Sequence, residues 1–171
     1  MTDHPHHENP NPTPDEVRSH VAAARARKLA QAEGLGVDAA FISLLVDTFY
    51  DRVRADPVLG PIFAAGITDW PAHLTRMKTF WRSVLHNSGE YSGNPMAKHM
   101  AIPGLDETHF AHWLNMFYAT LRDLAAREEA AALVGGRARM IADSLLPGIA
   151  TRRDGLSGAR AGKNLPQLAD T

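Results

Sequence analysis

The sequence predicts an all-α protein with one folded domain. Several long segments place apolar residues at the three- and four-residue spacing of an amphipathic helix, and most begin at a capping residue. No segment alternates apolar and polar residues over the length of a strand. The 171 residues are the usual size of a single domain.

Composition excludes several classes of function. A net charge of −1 gives no basic footprint for nucleic acid and no polybasic patch for a membrane surface. The absence of cysteine excludes disulfides and thiolate chemistry. No apolar run reaches the length of a membrane span, and the first residues do not resemble a secretory signal. We therefore expect a cytoplasmic protein with no nucleic-acid or membrane partner.

The chain divides into a helical domain with an extension at each end. Residues 1–14 are polar and carry four prolines, so we expect a disordered tail. Residues 15–36 read as an N-terminal extension helix with an alanine-rich face. The domain itself is expected over residues 37–150, and residues 151–171 have too little apolar surface to fold.

The first strong helix is predicted over residues 38–55. Asp56 and Pro57 follow directly and end it. After it, "VLGPIF" is expected to form a turn as far as Phe63, with a loop behind it.

Three more helices follow, over residues 70–87, 106–127 and 129–150, all with apolar residues at helical spacing. Asp69 and Asp106 are placed to cap the first two of them.

The stretch "PMAKHMAIPG" at residues 95–104 places His99 on a very short segment between prolines. Such a segment is too short to be a stable helix alone, because helix nucleation costs more than a few hydrogen bonds return.

Polar and aromatic residues interrupt the apolar faces of the helices at three further positions. His73 falls on the apolar stripe of its helix, Tyr50 lies beside that of the 38–55 helix, and Trp113 lies in the middle of another. A buried imidazole or phenol needs a partner. A large planar cofactor would explain the set, since a neutral imidazole is the usual proximal ligand of haem iron in globins. The surrounding apolar residues would be Phe63, Leu74, Met77, Phe80, Phe110 and Phe117.

Spacing alone leaves other interpretations open. A lone histidine such as His99 is more often a core or surface residue than a ligand, and Tyr50 and Trp113 also fit an ordinary core. His86, His109 and His112 are expected at the solvent side of their helices. A zinc site that includes His109 and His112 is conceivable from their spacing, although no HExxH or CxxC pattern supports it.

Four motifs in the same order resemble the truncated haemoglobins, specifically their third group. These are "TFYDRVRADPVLGPIF", "HLTRMKTFW", "YSGNPMAKHMAIPGL" and "HFAHWLNMF", within a match from about Phe41 to Ile149. The resemblance implies a shortened globin fold in which helices pack two over two. It also implies haem b as the cofactor.

The resemblance assigns roles to individual residues. His99 is implied to be the proximal ligand of the haem iron, and Tyr50, after Phe49, is implied to face the bound ligand. Phe63 is implied to wedge against the haem, while His73 and Trp113 complete the distal side. Arg76, one turn from His73, is our candidate for a haem propionate partner. The expected cofactor contacts are Phe49, Tyr50, Phe63, His73, Arg76, Met77, Phe80, His99, Trp113 and Phe117.

The function implied by this resemblance is the binding of O2, NO and CO at a five-coordinate haem iron. One hypothesis is an enzyme with NO dioxygenase or peroxidase-like activity, which would depend on a separate reductase because the chain has no flavin or nicotinamide fingerprint. A second is an O2 carrier for oxygen transport, a scavenger or a sensor. A third, from a different class, is a helical interaction domain with no cofactor.

Overall fold

The computed structural model describes residues 12–155 and 161–170, and within them the chain is helical with no strand. Seven α-helices follow one another: α1 (Pro14–Gly34), α2 (Ala39–Ala55), α3 (Leu59–Gly66), α4 (Trp70–His86), α5 (Pro95–Met100), α6 (Glu107–Leu124) and α7 (Glu128–Asp154). A short 3₁₀ turn, Leu168–Asp170, lies close to the end of the chain. The all-α prediction is therefore confirmed.

Two packed helix pairs form the body of the molecule. Helix α2 packs against α4, α6 packs against α7, and the contact between α2 and α6 joins the two pairs. The apolar faces that were predicted from helical spacing meet at these contacts. Leu45, Phe49, Leu114 and Leu121 are essentially inaccessible to solvent in the core that results.

Carboxylate caps start the helices that carry the site. The side chain of Asp69 accepts a hydrogen bond from the Ala72 amide, and Asp106 accepts from the Thr108 and His109 amides. Such caps satisfy amides that the first turn of a helix leaves without partners. Both helices therefore begin where the sequence predicts.

Helix α3 differs from the predicted turn and loop after residue 55. The Oδ1 atom of Asp56 accepts hydrogen bonds from the amides of Val58 and Leu59, and this starts an eight-residue helix. Gly60 allows this helix close to the end of α2, because a Cβ atom there would lie 3.0 Å from the Arg54 carbonyl oxygen. The prediction was wrong because eight residues are too few for helical periodicity to show.

Helix α1 is an exposed extension. Thr13 and Glu16 form a capping box at its start, and Ala32 is its one buried residue within the described range. The helix contacts α4 along the edge of the molecule. Residues 1–11, most of the tail expected to be disordered, lie outside the described residues.

The C-terminal segment is the second difference from prediction, because residues 161–170 are ordered and pack on the helical domain. Leu165 is buried, and the Tyr118 hydroxyl donates a hydrogen bond of 3.0 Å to the Pro166 carbonyl. Leu168 packs against Gly135, which is one of two adjacent glycines inside α7. The low apolar content of residues 151–171 led us to expect disorder, but it did not reveal that two leucines have a place on α6 and α7.

We expect a protein that ends at Gly155 to be less stable than the full chain by about 1–3 kcal/mol. Removal of the segment after Gly155 removes the burial of Leu165. The free energy of that burial outweighs the conformational entropy that the full chain loses by ordering the segment. Urea unfolding followed by circular dichroism measures the difference. Lys163→Ala in the full chain is the control, because this exposed residue should change stability by less than about 0.5 kcal/mol. Equal stability of the shortened and full chains would contradict the packing of this segment.

No single helix in the described part of the chain is long and apolar enough to cross a membrane. Helices α1 and α2 reach the required length and composition only as a pair that is bent by 66°.

Candidate functional site

His99 lies on α5, a helix of six residues that Asn94 caps and Pro95 opens. Its Nδ1 atom is 2.7 Å from the carbonyl oxygen of Pro95. Because a carbonyl oxygen only accepts, Nδ1 carries the proton and donates it. This fixes the tautomer in which the other ring nitrogen, Nε2, is a lone-pair donor.

The Nε2 atom of His99 has no hydrogen-bond partner in residues 12–155 or 161–170. Its ring lies 6.3 Å from that of Phe110 on α6 and is partly exposed. A neutral imidazole that is oriented through Nδ1 and unpaired at Nε2 is prepared to bind a metal ion.

A second group of rings gathers where α2, α3 and α4 meet. The ring of Tyr50 contacts His73 at 5.1 Å, Phe63 at 5.8 Å and Trp70 at 6.3 Å between centroids. Trp70 in turn contacts His73 at 5.7 Å. All of these contacts are edge-to-face, which is a favourable arrangement for aromatic rings. We call Tyr50, Phe63, Trp70 and His73 the aromatic cluster.

His73 carries a buried polar atom without a partner. Its Nε2 is inaccessible to solvent and makes no hydrogen bond to a described residue. Burial lowers the pKa of this imidazole, and the positive charge of Arg76 lowers it further. A neutral ring with an unsatisfied buried nitrogen is costly, so the site is suited to a polar group that is absent from the protein chain itself.

Tyr50 is also buried, and its hydroxyl makes no hydrogen bond to a described residue. Burial raises the pKa of this phenol well above its usual range, so it stays protonated at any physiological pH. Tyr50 is therefore a hydrogen-bond donor whose proton is available to a ligand.

Helix α6 links the two groups. Trp113 stacks on Phe117 with the ring planes 10° apart, and Phe117 stacks on Trp81 with the planes 15° apart. Phe49 meets both Trp113 and Phe117 edge-on, and its other neighbour is Tyr50. Phe110 lies on the same helix and contacts the ring of His99. Helix α6 therefore contacts His99 through Phe110, and it contacts Phe49, the neighbour of Tyr50, through Trp113 and Phe117.

Several large apolar side chains that pack against the core are only half-buried. They are Phe63, Leu74, Met77, Phe80, Met100 and Ile102, from α3, α4, α5 and the residues after α5. Covering such surface is worth roughly 25 cal/mol per Å². A large flat apolar group with a metal at its centre fits this surface, the unpaired His99 nitrogen and the unsatisfied His73 nitrogen together.

Arg76 lies near enough to His73 for its positive charge to lower the pKa of that imidazole. It is exposed and makes no ion pair with a described residue, and its role beside a haem propionate stays a prediction.

The structure gives other partners to the two histidines of the zinc hypothesis. The Nδ1 atom of His109 lies 2.7 Å from an oxygen of Asp106, and His112 Nε2 lies 2.9 Å from an oxygen of Asp56. No group of three metal-binding side chains occurs among the described residues, so the zinc hypothesis has no site there.

His86 was expected at the solvent side of its helix, and this expectation was wrong. The residue is buried, and its Nε2 donates a hydrogen bond of 2.7 Å to the carbonyl oxygen of Val37. It therefore ties the end of α4 to the segment between α1 and α2. No spacing within α4 could show a partner 49 positions away.

Sequence reasoning missed two residues of the site. Trp70 was not among the expected cofactor contacts, but it completes the aromatic cluster. Trp81 was not among them either, and it extends the stack on α6. The available signal for Trp70 was its position three residues before His73, which places both on one side of α4.

A cavity of about 560 Å³ elsewhere in the molecule is not part of this site. Tyr118, Arg122, Ala131 and Leu168 are among the residues that line it. It shares no lining residue with the aromatic cluster or with α5.

The pair of Asp56 and His112 predicts a dependence of stability on pH. Burial would raise the pKa of Asp56, but hydrogen bonds from the Leu59 amide, His112 and the Val58 amide outweigh it and hold the pKa below its ordinary value of 3.8. A lowered pKa in the folded protein gives stability that is complete above the unfolded value and is lost as pH falls through the folded value.

We expect Asp56→Asn to destabilise the protein at neutral pH, with a difference from wild type that shrinks as pH falls from about 5 to about 3. Urea unfolding at a series of pH values measures this. Asp51→Asn is the matched control on α2, because Asp51 is exposed and has no partner within the described residues. A difference that stays constant with pH would contradict the role of the Asp56 charge.

Two packed helix pairs with an oriented imidazole on a very short helix between the long helices are the architecture of a globin, and this is the class of the protein. Comparison with known proteins then identifies the family. The family described as Bacterial-like globin matches residues 32–142. The group 3 truncated hemoglobin ctb of Campylobacter jejuni subsp. jejuni is 37% identical over 105 residues, which cover 59% of this chain and 82% of that protein.

A second relative and a solved structure agree with this. The group 2 truncated hemoglobin YjbI of Bacillus subtilis is 30% identical over 118 residues, which cover 66% of this chain and 85% of that protein. The crystal structure of the group III truncated hemoglobin from Campylobacter jejuni matches with a TM-score of 0.60 and 34% identity, over 64% of this chain and 88% of that chain. The chain therefore belongs to the truncated haemoglobins within the bacterial-like globin family. Membership implies a haem-based protein that binds small diatomic ligands such as O2.

Proposed function

We propose that this protein holds haem b through His99 and binds O2, NO and CO on the side of the haem that faces Tyr50. When bound, haem would supply an iron atom that takes a protein nitrogen and a diatomic molecule as ligands. The observation that carries the proposal is the hydrogen bond from His99 Nδ1 to the Pro95 carbonyl oxygen. This hydrogen bond orients the ring and leaves Nε2 unpaired.

Two residues of the aromatic cluster and one residue of α6 are the candidates for polar contact with a ligand. Tyr50 donates its hydroxyl proton, and burial keeps this proton in place at physiological pH. The Nε2 atom of His73 is a second polar contact, buried and without a partner among the described residues. The indole N–H of Trp113 is the third candidate. Preorganised donors stabilise a partial negative charge better than water does, because they need no reorientation.

The apolar residues around these donors keep water out. Phe63, Met77 and Phe80 present half-buried side chains that haem would cover. A dry site strengthens the hydrogen bond from Tyr50, because the local dielectric constant is low. Slow release of a bound ligand follows from this arrangement and is of little use to a simple carrier.

We therefore propose turnover of bound O2 with NO, or of peroxide, as the function, with electrons from a separate reductase. The separate partner is needed because the sequence contains no nicotinamide or flavin fingerprint. We propose the cytoplasm as its location, in agreement with the composition.

Consumption of NO by the haem-loaded protein tests this proposal. With O2 and an artificial reductant present, an NO electrode should record repeated turnover, many NO molecules per haem. The control is the same concentration of free haem with the reductant. Consumption that stops after one equivalent of NO would contradict the enzyme and favour an O2 carrier, scavenger or sensor.

A further inference from the structure

His73 is held from one side by a residue pair that the proposed function does not use. The guanidinium carbon of Arg54 lies 4.8 Å from the centroid of the Trp70 ring. The same indole meets the imidazole of His73 edge-on at 5.7 Å. Arg54, Trp70 and His73 thus form a row that runs from the surface to the buried nitrogen.

The three residues of the row and Tyr50 lie on two helices, with about one helical turn between the two residues on each. Arg54 and Tyr50 lie four residues apart on α2, while Trp70 and His73 lie three apart on α4. The imidazole is therefore enclosed by Tyr50 on one side and Trp70 on another. A shift of the indole would remove one wall of this enclosure.

The charged guanidinium of Arg54 contacts the indole ring of Trp70. Arg54 is exposed and forms no ion pair with a described residue. A guanidinium over the face of tryptophan is attracted by the negative charge density of the ring, and it also covers part of the ring from water. Trp70 is the first residue of α4, where fraying is common, so an external contact on its ring matters for its position.

His73 has a reason to leave its place. Its Nε2 is buried without a partner, and this cost is relieved if the ring turns to solvent. Its residue as a whole is only half-buried, so the path outward is short. The position of the ring is set by a balance between this cost and its contacts with Tyr50 and Trp70.

We propose that Arg54 is a positioning residue which, through the ring of Trp70, keeps the His73 imidazole turned into the aromatic cluster. Its effect on ligands rests on the proposed function, since an inward His73 narrows the way to the haem. An exposed cation–π contact corresponds to a change of about two- to fivefold in the balance between inward and outward positions.

The test compares Arg54→Met, which keeps the length of the side chain and removes the charge, with Arg54→Lys, which keeps the charge. The first readout is the NMR shift of the His73 ring proton in the haem-loaded, CO-bound protein, assigned with His73→Gln. The ring currents of the neighbouring aromatic groups displace this shift. Measured at a pH well above the pKa of His73, where the imidazole is neutral in every variant, it reports the position of the ring. We expect Arg54→Met to move it toward the value of an exposed histidine and Arg54→Lys to retain the wild-type value.

A double variant tests the path through the indole. In a Trp70→Leu background, Arg54→Met should have no further effect on the His73 shift. An unchanged shift in Arg54→Met, an equal change in Arg54→Lys, or a full additional effect in the Trp70→Leu background would each overturn the proposal.

The second readout is the rate of CO association after flash photolysis, which should rise about two- to fivefold in Arg54→Met. A changed NMR shift with an unchanged rate would support the positioning role and contradict the part of the proposed function in which His73 limits entry. If the protein binds no haem, the absorption spectrum shows it, and the NMR comparison on the purified protein still decides the role of Arg54.

Discussion

Replacement of His99 by glycine is expected to weaken haem binding by more than about 100-fold and to make it depend on added imidazole. Removal of a group behind a metal ligand already costs about 10- to 100-fold in affinity, so removal of the ligand itself costs more. The space left by the side chain can accept a free imidazole molecule, which restores a nitrogen ligand. Absorption in the Soret region during titration with hemin, with and without imidazole, measures both effects.

The matched control is His20→Ala. His20 lies on α1, and its Nδ1 is 2.8 Å from the carbonyl oxygen four residues earlier, so it has the same local bond as His99. This variant should titrate like wild type. A His99→Gly protein with the wild-type titration, or one that imidazole does not restore although it is folded, would contradict the assignment of His99.

Replacement of Tyr50 by phenylalanine should speed O2 release by about 10- to 150-fold. A hydrogen bond to a charged partner contributes about 1.5–3 kcal/mol, and every 1.4 kcal/mol is a factor of ten in rate. The phenylalanine ring keeps the contacts with Phe49 and Phe63, at 5.2 and 5.8 Å, so the change is restricted to the hydroxyl. Stopped-flow displacement of O2 by CO measures the release rate.

Tyr118→Phe is the control for the loss of a buried hydroxyl. Tyr118 is fully buried, but its hydroxyl donates to the carbonyl of Pro166 in the C-terminal segment. Its removal should lower stability by about 1 kcal/mol and leave O2 release unchanged. Equal release rates in wild type and Tyr50→Phe would exclude Tyr50 as the donor, and His73 and Trp113 would remain as candidates.

The long helices could be predicted from the sequence because local chemistry determines them. Asp69 and Asp106 cap helices where the sequence predicts, and the apolar faces of α2, α4 and α6 lie in the core. Helical spacing reports these features within one segment. The short α3 was missed because its start depends on one carboxylate, that of Asp56, rather than on a repeated pattern.

Contacts between distant segments could not be predicted in this way. His86 was expected at the surface, but its partner Val37 belongs to another part of the chain. Leu165 is buried on a surface that α6 and α7 create only when they pack together. The place of Trp70 beside Tyr50 depends in the same way on the packing of α2 against α4.

The site could be predicted in part, because polar residues on apolar faces are unusual. His73 and Tyr50 were selected for this reason, and in the structure their rings are in contact, with 5.1 Å between the centroids. The resemblance of four motifs to truncated haemoglobins then predicted His99 as the ligand of the haem iron. The orientation of its ring, with Nδ1 bonded to Pro95, is a feature of the folded backbone that the sequence did not predict.

The most direct test of the central claim, that His99 Nε2 binds iron within the apolar surface between the helices, is a hemin titration of the full chain. We predict that the folded protein takes up one haem per chain, with a sharp Soret band and a breakpoint at equal concentrations. A folded protein that gains no such band, even at hemin concentrations well above the dissociation constants of ordinary haem proteins, would contradict the claim.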